Sequence, residues 1–264
     1  MRGENVLKRR VKAGEPVLGT WCVLPGAGAV NVITAAGFDF VIIDMEHGPC
    51  GYTEAEDMVR AAESEQRHAL IRVPRLDESA ILRALETGAH GVVIPQITTA
   101  AEARAAVRAC KYHPEGTRGL SPYTRSAGYT AHGNHDLAAR ENGRVLVTLL
   151  VEGVEGIANL DEILAVPGVD VVYLGIYDLS QSAGHPGHID HPDVTRAIAD
   201  AVGRVRDAGV AAGCLVQGTD HVRTYAQLGV RFFAWQADCS LLYEASRAAV
   251  YAFGAEVFAC AGTS

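Results

Sequence analysis

The run FVIIDMEHGPCG, residues 40–51, sets the expectation for the fold of this chain. Four consecutive apolar residues lead directly into Asp44, Glu46 and His47, before a Gly-Pro break. A short apolar run rich in β-branched residues is typical of a strand buried on both faces, as in a parallel sheet covered by helices. The charged residues then lie where this strand leaves the core.

Seven further runs resemble this one, with alanine-rich amphipathic stretches between them. The predicted strands are residues 17–23, 38–45, 69–73, 91–95, 145–152, 169–175, 210–216 and 231–237. The predicted helices are residues 53–66, 79–88, 100–111, 159–166, 193–209, 220–229 and 241–259. Eight alternations predict a parallel sheet closed into a (β/α)8 TIM barrel, with residues 1–264 as one domain. A doubly wound open sheet is the alternative, but no GxGxxG motif follows the first strand.

Composition narrows the class of protein. The formal net charge of −8 disfavours a nucleic-acid binder, which would carry a basic patch. No apolar stretch approaches the roughly 18–20 residues of a membrane span, and the first fifteen residues lack a secretory signal. We therefore expect a cytoplasmic protein with neither a nucleic-acid nor a membrane partner. The six cysteines form no CxxC pair and are expected to be reduced thiols.

Residues 112–144 interrupt the regular alternation of predicted strands and helices. This segment is long, polar and rich in glycine, and it carries Arg118, Tyr123, Arg125 and Tyr129. Long loops in compact domains are usually either functional or disordered. The basic and aromatic residues favour a functional loop.

In a barrel of this type the active site lies at the carboxyl ends of the strands. Polar residues at the predicted strand ends are Asp44, Glu46, His47, Arg72, Arg75, Gln96, Glu152, Asp178, Ser180, Gln236 and Asp238. Glu152 and Asp178 follow neighbouring strands, so they can converge on a hard divalent cation such as Mg²⁺ or Mn²⁺. The alternative is two solvated loop acids, with Asp178 as a helix N-cap.

Two further residues suit chemistry beside such a cation. His47 can act as general base, because the imidazole pKa lies nearest neutrality, although a hydrogen-bonded structural histidine is the alternative. Arg72 ends an otherwise apolar strand, and a buried guanidinium needs an anionic partner or ligand. Arg72 therefore suits binding of a carboxylate or an oxyanion.

Several blocks of the sequence resemble one known family in order and spacing. They are GTWCVLPGAGAVNVITAAGFDFVIIDMEHGP, RVPR, ALETGAHGVVIPQ, HPEGTRGL, VEGVEGIANLDEI and GVDVVYLGIYDLSQSAGHPG, between about residues 17 and 245. Together they resemble the HpcH/HpaI aldolases, class II pyruvate-dependent aldolases of the phosphoenolpyruvate/pyruvate barrel superfamily. The resemblance implies a (β/α)8 barrel that binds Mg²⁺, Mn²⁺ or Co²⁺. It also implies a hexamer, or trimer of dimers, in which the C-terminal helix is exchanged between paired subunits.

The resemblance also assigns roles to residues. The metal ligands fall on Glu152 and Asp178, and the arginine that stabilises the enolate oxygen falls on Arg72. The acid/base histidine falls on His47, and its orienting aspartate falls on Glu86, which keeps the charge but adds a methylene. These roles agree with the chemistry, because negative charge develops on the former ketone oxygen when an enolate forms.

The remaining candidate residues concern the substrate and the surroundings of the metal. Gly175, Ile176, Tyr177, Leu150 and Trp21 are expected to contact the substrate. The family often has glutamine where this chain has Leu150, and a small residue where it has Tyr177, so these two are expected to decide which 2-oxo acid is handled. Asp44 and Glu46 are expected to hold metal-bound water.

The leading hypothesis for function is a metal-dependent carbon–carbon lyase. It would cleave or form a 4-hydroxy-2-oxo acid through a pyruvate-type enolate, with an aldehyde as the other partner. A metal-dependent decarboxylase or condensing enzyme acting on a β-keto acid such as oxaloacetate is the first alternative. Coenzyme A-ester lyases and a non-catalytic barrel with an altered pocket are the others.

Overall fold

The computed structural model describes residues 3–261, and side chains as far as Val257. Its eight strands are all parallel and form a closed barrel in sequence order. They are β1 (Val17–Cys22), β2 (Phe40–Asp44), β3 (His68–Arg72), β4 (Gly91–Ile94), β5 (Leu146–Val151), β6 (Val171–Leu174), β7 (Ala211–Val216) and β8 (Phe232–Ala237). The predicted (β/α)8 barrel is therefore confirmed, and the open sheet is excluded.

Helices surround this barrel between the strands. They are α1 (Val6–Lys12), α2 (Ala27–Ala35), α3 (Tyr52–Ser64), α4 (Glu78–Glu86), α5 (Ala100–Cys110), α6 (Leu137–Arg144), α7 (Val154–Ala158), α8 (Leu160–Leu164), α9 (Ile176–Ser182), α10 (Pro192–Asp207), α11 (Thr219–Leu228) and α12 (Asp238–Ala261). All seven predicted helices are present. Helices α1, α2, α6, α7 and α9 were not predicted, because four of them are eight residues or shorter and show little periodicity.

The barrel closes where β8 pairs with β1. Val17 lies opposite Phe232, and the register shifts between Gly19 and Trp21. A Cβ atom on Gly19 would lie 2.2 Å from the ring of Phe40, so only glycine fits there. That ring stacks on Phe232 with centroids 4.2 Å apart. Close packing of large rings therefore fills the barrel interior.

Alternation along each strand decides which side chains reach the barrel mouth. In β2, Phe40 and Ile42 belong to the cluster inside the barrel, whereas Val41 and Ile43 pack in the layer between sheet and helices. The next residue of the inward series is Asp44, at the carboxyl end of the strand. Alternate side chains of a strand point to the same face of the sheet. The alternation that places Phe40 and Ile42 inside the barrel therefore also directs the Asp44 carboxylate into the mouth.

The segment 112–144 joins the end of α5 to the start of β5, at the amino-terminal end of the strands. Its last eight residues form α6, so the prediction of an unbroken loop is wrong there. Arg125 donates to the carbonyl of Thr87 at 2.8 Å and pairs with Glu63. The segment therefore packs on the outer helices in its own chain, and a catalytic role for it stays a prediction.

The last helix, α12, is poorly covered by its own chain. Val250 and Phe253 are 70% and 71% exposed, and Leu242, Tyr243, Tyr251 and Val257 are also exposed. Exchange of this helix between subunits stays a prediction. No helix in the described part of the chain is both long and apolar enough to cross a membrane.

The described cysteine thiols take part in no disulfide. Cys22, Cys50, Cys110 and Cys214 are buried and Cys239 is exposed. The expectation of reduced thiols holds for these five, and Cys260 lies outside the described side chains.

Candidate active site

An ion pair between neighbouring strands organises the mouth of the barrel. Asp44 and Arg72 lie opposite each other in the pairing of β2 with β3, and both are buried. Arg72 Nε donates to Asp44 Oδ1 at 2.8 Å, and Nη2 pairs with Oδ2. This two-pronged geometry holds the guanidinium plane in one orientation.

Arg72 also contacts Trp21 and Glu46, and Nη1 is its one guanidinium nitrogen without a bond to Asp44. Its Cζ atom lies 4.5 Å from the ring centroid of Trp21, so the guanidinium is stacked on an indole face. Nη1 lies 3.1 Å from Glu46 Oε2. Nη1 is therefore the guanidinium nitrogen that Asp44 leaves free for a ligand that shares or displaces the Glu46 contact.

Asp44 also shapes the turn that follows its strand. Its Oδ1 atom accepts hydrogen bonds from the backbone N–H groups of Glu46, at 3.0 Å, and His47, at 3.2 Å. The His47 side chain is exposed and makes no hydrogen bond to the described residues. Asp44 therefore positions the predicted base through the backbone, and its role with metal-bound water stays a prediction.

Glu152 follows β5 directly and lies half-buried beside Gly175. Its Oε1 atom accepts from the backbone N–H of Gln96 at 2.8 Å. Burial, together with the nearby carboxylates of Asp178 and Glu46, raises the pKa of Glu152 to about 7, although the hydrogen bond from Gln96 and the charge of Arg72 oppose this shift. Carboxylates thus gather here without enough positive charge to balance them.

Asp178 is exposed on the first turn of α9. The N-cap of that helix is Gly175, and no side chain caps it, so the alternative of Asp178 as an N-cap is wrong. The Asp178 charge raises the pKa of Glu152, and the pairing of the two carboxylates around a metal stays a prediction.

Glu46 is the third acid near this pair. Burial raises its pKa, and Arg72 and His47 oppose that shift. Its Oε1 atom accepts from Gln96 Nε2 at 3.3 Å, and its buried Oε2 atom lies 3.1 Å from Arg72 Nη1. Carboxylate oxygens near two further acids fit a hard divalent cation, which prefers oxygen ligands.

The floor of the mouth is apolar apart from one hydroxyl. Trp21 Nε1 donates to Tyr173 Oη at 3.0 Å, and the two rings meet edge to face. Leu150 lies opposite Tyr173 in the strand pairing, inside the same cluster. Sequence reasoning missed Tyr173, although its place two residues before Gly175 puts it in the inward series of β6.

Comparison with known proteins now identifies the chain. The family model described as HpcH/HpaI aldolase/citrate lyase matches residues 18–245. The chain belongs to the HpcH/HpaI aldolase/citrate lyase family. These are metal-dependent aldolases and lyases, so the chain is an enzyme of the carbon–carbon lyase class.

Individual HpcH/HpaI relatives cover nearly the whole chain. A pyruvate aldolase of Rhizobium etli is 35% identical, over 92% of this chain and 95% of that protein. A 4-hydroxy-2-oxo-heptane-1,7-dioate aldolase of Shigella boydii is 34% identical, over 97% of both. The crystal structure of a family member from Burkholderia cenocepacia superposes with a TM-score of 0.89 at 34% identity, and covers 94% of this chain and 99% of that one.

Tyr177 is one of the two positions, with Leu150, at which this HpcH/HpaI chain is expected to depart from the family pattern. The side chain is 44% exposed, and its hydroxyl accepts from Gln217 Nε2 at 2.5 Å. The phenol thus leans towards the end of β7, whereas its neighbour Ile176 is buried. Gln217, which no sequence motif singles out, orients the residue expected to control the substrate.

Glu86 has partners other than the predicted one. It is the last residue of α4, on the outside of the barrel. Arg118 Nη2 donates to its Oε1 atom at 2.7 Å, and Ser126 Oγ donates to Oε2 at 3.1 Å. Among the residues described in this single chain, no hydrogen bond joins Glu86 to His47. Their pairing stays a prediction.

Proposed function

We propose that this HpcH/HpaI enzyme cleaves and forms 4-hydroxy-2-oxo acids through a pyruvate-type enolate, with an aldehyde as the second product or substrate. The observation that carries the proposal is the placement of Arg72, held rigidly by Asp44, at the same mouth as the Glu152 and Asp178 carboxylates. Relatives named pyruvate aldolase and 4-hydroxy-2-oxo-heptane-1,7-dioate aldolase support this choice of substrate class.

Glu152 and Asp178 are the residues that would hold Mg²⁺, Mn²⁺ or Co²⁺. The raised pKa of Glu152 supports this, because carboxylates that repel each other are stabilised by a cation between them. When bound, the cation supplies positive charge that stabilises an enolate oxygen. Gln96 donates hydrogen bonds to both Glu152 and Glu46, so Glu46 lies near the same site and would orient water there.

Arg72 would share the developing negative charge. Asp44 occupies Nε and Nη2, so Nη1 is left to meet the substrate oxygen at the mouth. A donor that is already oriented loses little energy in reorganisation when charge develops. Trp21 and Leu150 form the apolar floor under this contact, so the charge develops away from bulk water.

His47 would move the proton. Its ring is exposed at the mouth, with no partner in the described chain to hold its nitrogens. In cleavage it would accept the proton of the 4-hydroxyl group, and in the reverse direction it would return that proton.

Among the described residues of one chain, Glu86 is hydrogen-bonded to Arg118 and Ser126 rather than to His47. Glu86 ends α4 on the outer layer, whereas His47 follows the inner strand β2. We propose that Glu86 acts on the His47 of a neighbouring chain in a homo-oligomer. Co-refolding an inactive His47→Ala chain with an inactive Glu86→Ala chain then restores about a quarter of the activity in a dimeric arrangement, because mixed pairs regain one complete site. Mixtures without recovered activity argue against the pairing.

Exchange of the pyruvate methyl protons tests the proposed function directly. The protein is incubated with pyruvate and Mg²⁺ or Mn²⁺ in D₂O, and the methyl signal is followed by NMR. We expect metal-dependent exchange that disappears in Glu152→Gln and falls in Arg72→Lys, while the surface control Asp161→Asn exchanges normally. Turnover of oxaloacetate without methyl exchange or aldol cleavage would instead favour the decarboxylase.

We propose a cytoplasmic homo-oligomer, a hexamer or trimer of dimers, whose partners are small 2-oxo acids and aldehydes. The exposed apolar side chains of α12 support the proposed oligomer.

A further inference from the structure

Gln96 lies at the barrel mouth, just after β4, and its backbone adopts a conformation that residues other than glycine rarely take. Its φ angle is 58°, in the left-handed region. A residue with a Cβ atom is strained there, because that atom approaches the following carbonyl oxygen. Strained backbone persists only where surrounding contacts hold it, and it clusters at functional sites. Contacts of Gln96 with its neighbours must therefore hold this conformation.

The left-handed turn directs the backbone N–H of Gln96 to a side chain rather than to the neighbouring strand. Pro95 has no N–H group, and the next hydrogen bond to β5 is donated by Ile97 to the Leu150 carbonyl at 3.1 Å. Between these two residues, the N–H of Gln96 donates to Glu152 Oε1 at 2.8 Å. The main chain therefore fixes one oxygen of a proposed metal ligand.

The side chain of Gln96 contacts a second acid. Its Nε2 atom donates to Glu46 Oε1 at 3.3 Å, and the other oxygen of that carboxylate, Oε2, lies 3.1 Å from Arg72 Nη1. The Glu46 carboxylate is thus held from both sides and loses a contact if it rotates. Glycine would adopt the left-handed backbone with less strain, but it has no amide to donate to Glu46.

We propose that Gln96 is a positioning residue of the metal site, which holds Glu152 through its main chain and Glu46 through its side chain. The bond to Glu46 keeps the backbone left-handed, and that backbone keeps the N–H on Glu152. The roles of the two acids rest on the proposed function. Hydrogen-bond partners of this kind orient metal ligands and are needed for full metal affinity.

Gln66 provides a matched control elsewhere in the chain. It is also a glutamine in the left-handed region, with a φ angle of 55°, and it is exposed in the turn that follows α3. Its backbone N–H donates to the carbonyl of Glu63 at 2.9 Å, and its side chain makes no hydrogen bond to any described residue. Gln66→Gly therefore reports the relief of backbone strain alone.

Mn²⁺ affinity, measured by calorimetry, tests the proposal without requiring turnover. Gln96→Met keeps the length of the side chain and removes the amide, so we expect Mn²⁺ to bind about 10–100-fold more weakly. Glu46→Ala already removes the partner of the amide, so adding Gln96→Met to it should change the affinity by less than about twofold. A purely structural role for Gln96 predicts the same fold loss in both backgrounds.

Unfolding by denaturant separates strain from function. Gln96→Gly and Gln66→Gly should both raise the denaturant midpoint, because glycine relieves the left-handed strain, but only Gln96→Gly should weaken Mn²⁺ binding. A Gln96→Gly variant that is less stable than the wild type would show that the amide serves the fold, and would overturn the proposal.

The same variants distinguish this inference from the proposed function. Normal Mn²⁺ affinity in Gln96→Met, or an equal loss in the Glu46→Ala background, overturns the inference while metal-dependent pyruvate methyl exchange in the wild type still supports the aldolase. Absence of that exchange in the wild type, with Mn²⁺ affinity still sensitive to Gln96→Met, overturns the proposed function instead.

Discussion

Asp44 and Arg72 form a buried two-pronged ion pair across β2 and β3, and this pair connects the core of the barrel to its chemistry. The carboxylate orients the guanidinium, and its Oδ1 atom also accepts from the backbone of the turn that carries His47. One side chain therefore positions both the proposed enolate-binding group and the proposed base.

Removing the charge of Asp44 is expected to affect stability and catalysis together. Asp44→Asn leaves Arg72 buried without its main partner, and breaking a buried pair costs about 3–5 kcal/mol. We expect a lower free energy of unfolding by roughly that amount, and a kcat/KM reduced roughly 100-fold by loss of orientation. Denaturant unfolding and steady-state kinetics measure the two effects.

The matched control for this change is Asp161→Asn, because Asp161 forms an exposed ion pair with Arg204 at 2.8 Å. Exposed pairs contribute about 1 kcal/mol or less. Equal losses in both variants would show that Asp44 has no special role.

Gly175 is expected to be essential for the geometry of the metal ligands. A Cβ atom there would lie 2.5 Å from Glu152 Cβ and 3.0 Å from its Oε2 atom. Gly175→Ala should displace the carboxylate and weaken Mn²⁺ binding roughly 10–100-fold, as measured by calorimetry. Gly153→Ala is the control, because its nearest neighbour, Ser182 Oγ, is at an ordinary 3.9 Å. A normal Mn²⁺ affinity in Gly175→Ala would show that Glu152 is not a ligand of the metal.

The Tyr177 hydroxyl is expected to affect catalysis and substrate preference less than the aromatic ring does. It is bonded to Gln217, so Tyr177→Phe should change kcat/KM by no more than about fivefold, the effect of one neutral hydrogen bond. Tyr177→Ala, which removes the ring, should alter the relative kcat/KM for a small and a large aldehyde. A loss of several hundredfold in Tyr177→Phe would show instead that the hydroxyl contacts the substrate.

His68 is expected to make stability depend on pH. Burial lowers its pKa from 6.5 to about 4, and its Nε2 atom accepts from the Leu7 N–H at 3.4 Å. The unfolded chain therefore binds a proton below pH 6.5 that the folded chain does not bind until about pH 4. Stability should fall with decreasing pH across this window, by at most about 1.4 kcal/mol per pH unit from this group.

His68→Asn should flatten that slope, whereas His132→Asn, in the exposed part of the 112–144 segment, should leave it unchanged. Denaturant midpoints at pH 5, 6 and 7.5 provide the measurement. An identical slope in wild type and His68→Asn would contradict the assignment.

The exposed face of α12 is expected to bind another subunit. A 24-residue helix spans about 36 Å, and Val250 and Phe253 are about 70% exposed on it. The double variant Val250→Asp/Phe253→Asp should lower the mass measured by light scattering, while Glu256→Gln should not. A monomeric wild-type protein would contradict the exchanged-helix prediction.

Much of the fold could be predicted from local pattern. Most strand residues are buried on both faces of the sheet, so each strand is a short apolar run that stands out from the amphipathic helices around it. Short helices such as α7 and α9 could not be predicted, because five or seven residues contain too few turns to show a period.

For the candidate site, too, some features follow from the sequence and others only from the tertiary structure. The sequence by itself determined that Asp44, Arg72 and Glu152 lie at the carboxyl ends of strands, and a closed barrel brings its strand ends to one mouth whatever the details of packing. Only the tertiary structure decided which groups each one contacts. Glu86 is bound to Arg118, Tyr177 to Gln217, and Trp21 to Tyr173. These partners are 32, 40 and 152 residues apart in the chain, and no local pattern encodes a contact whose distance is set by the closure of the whole barrel.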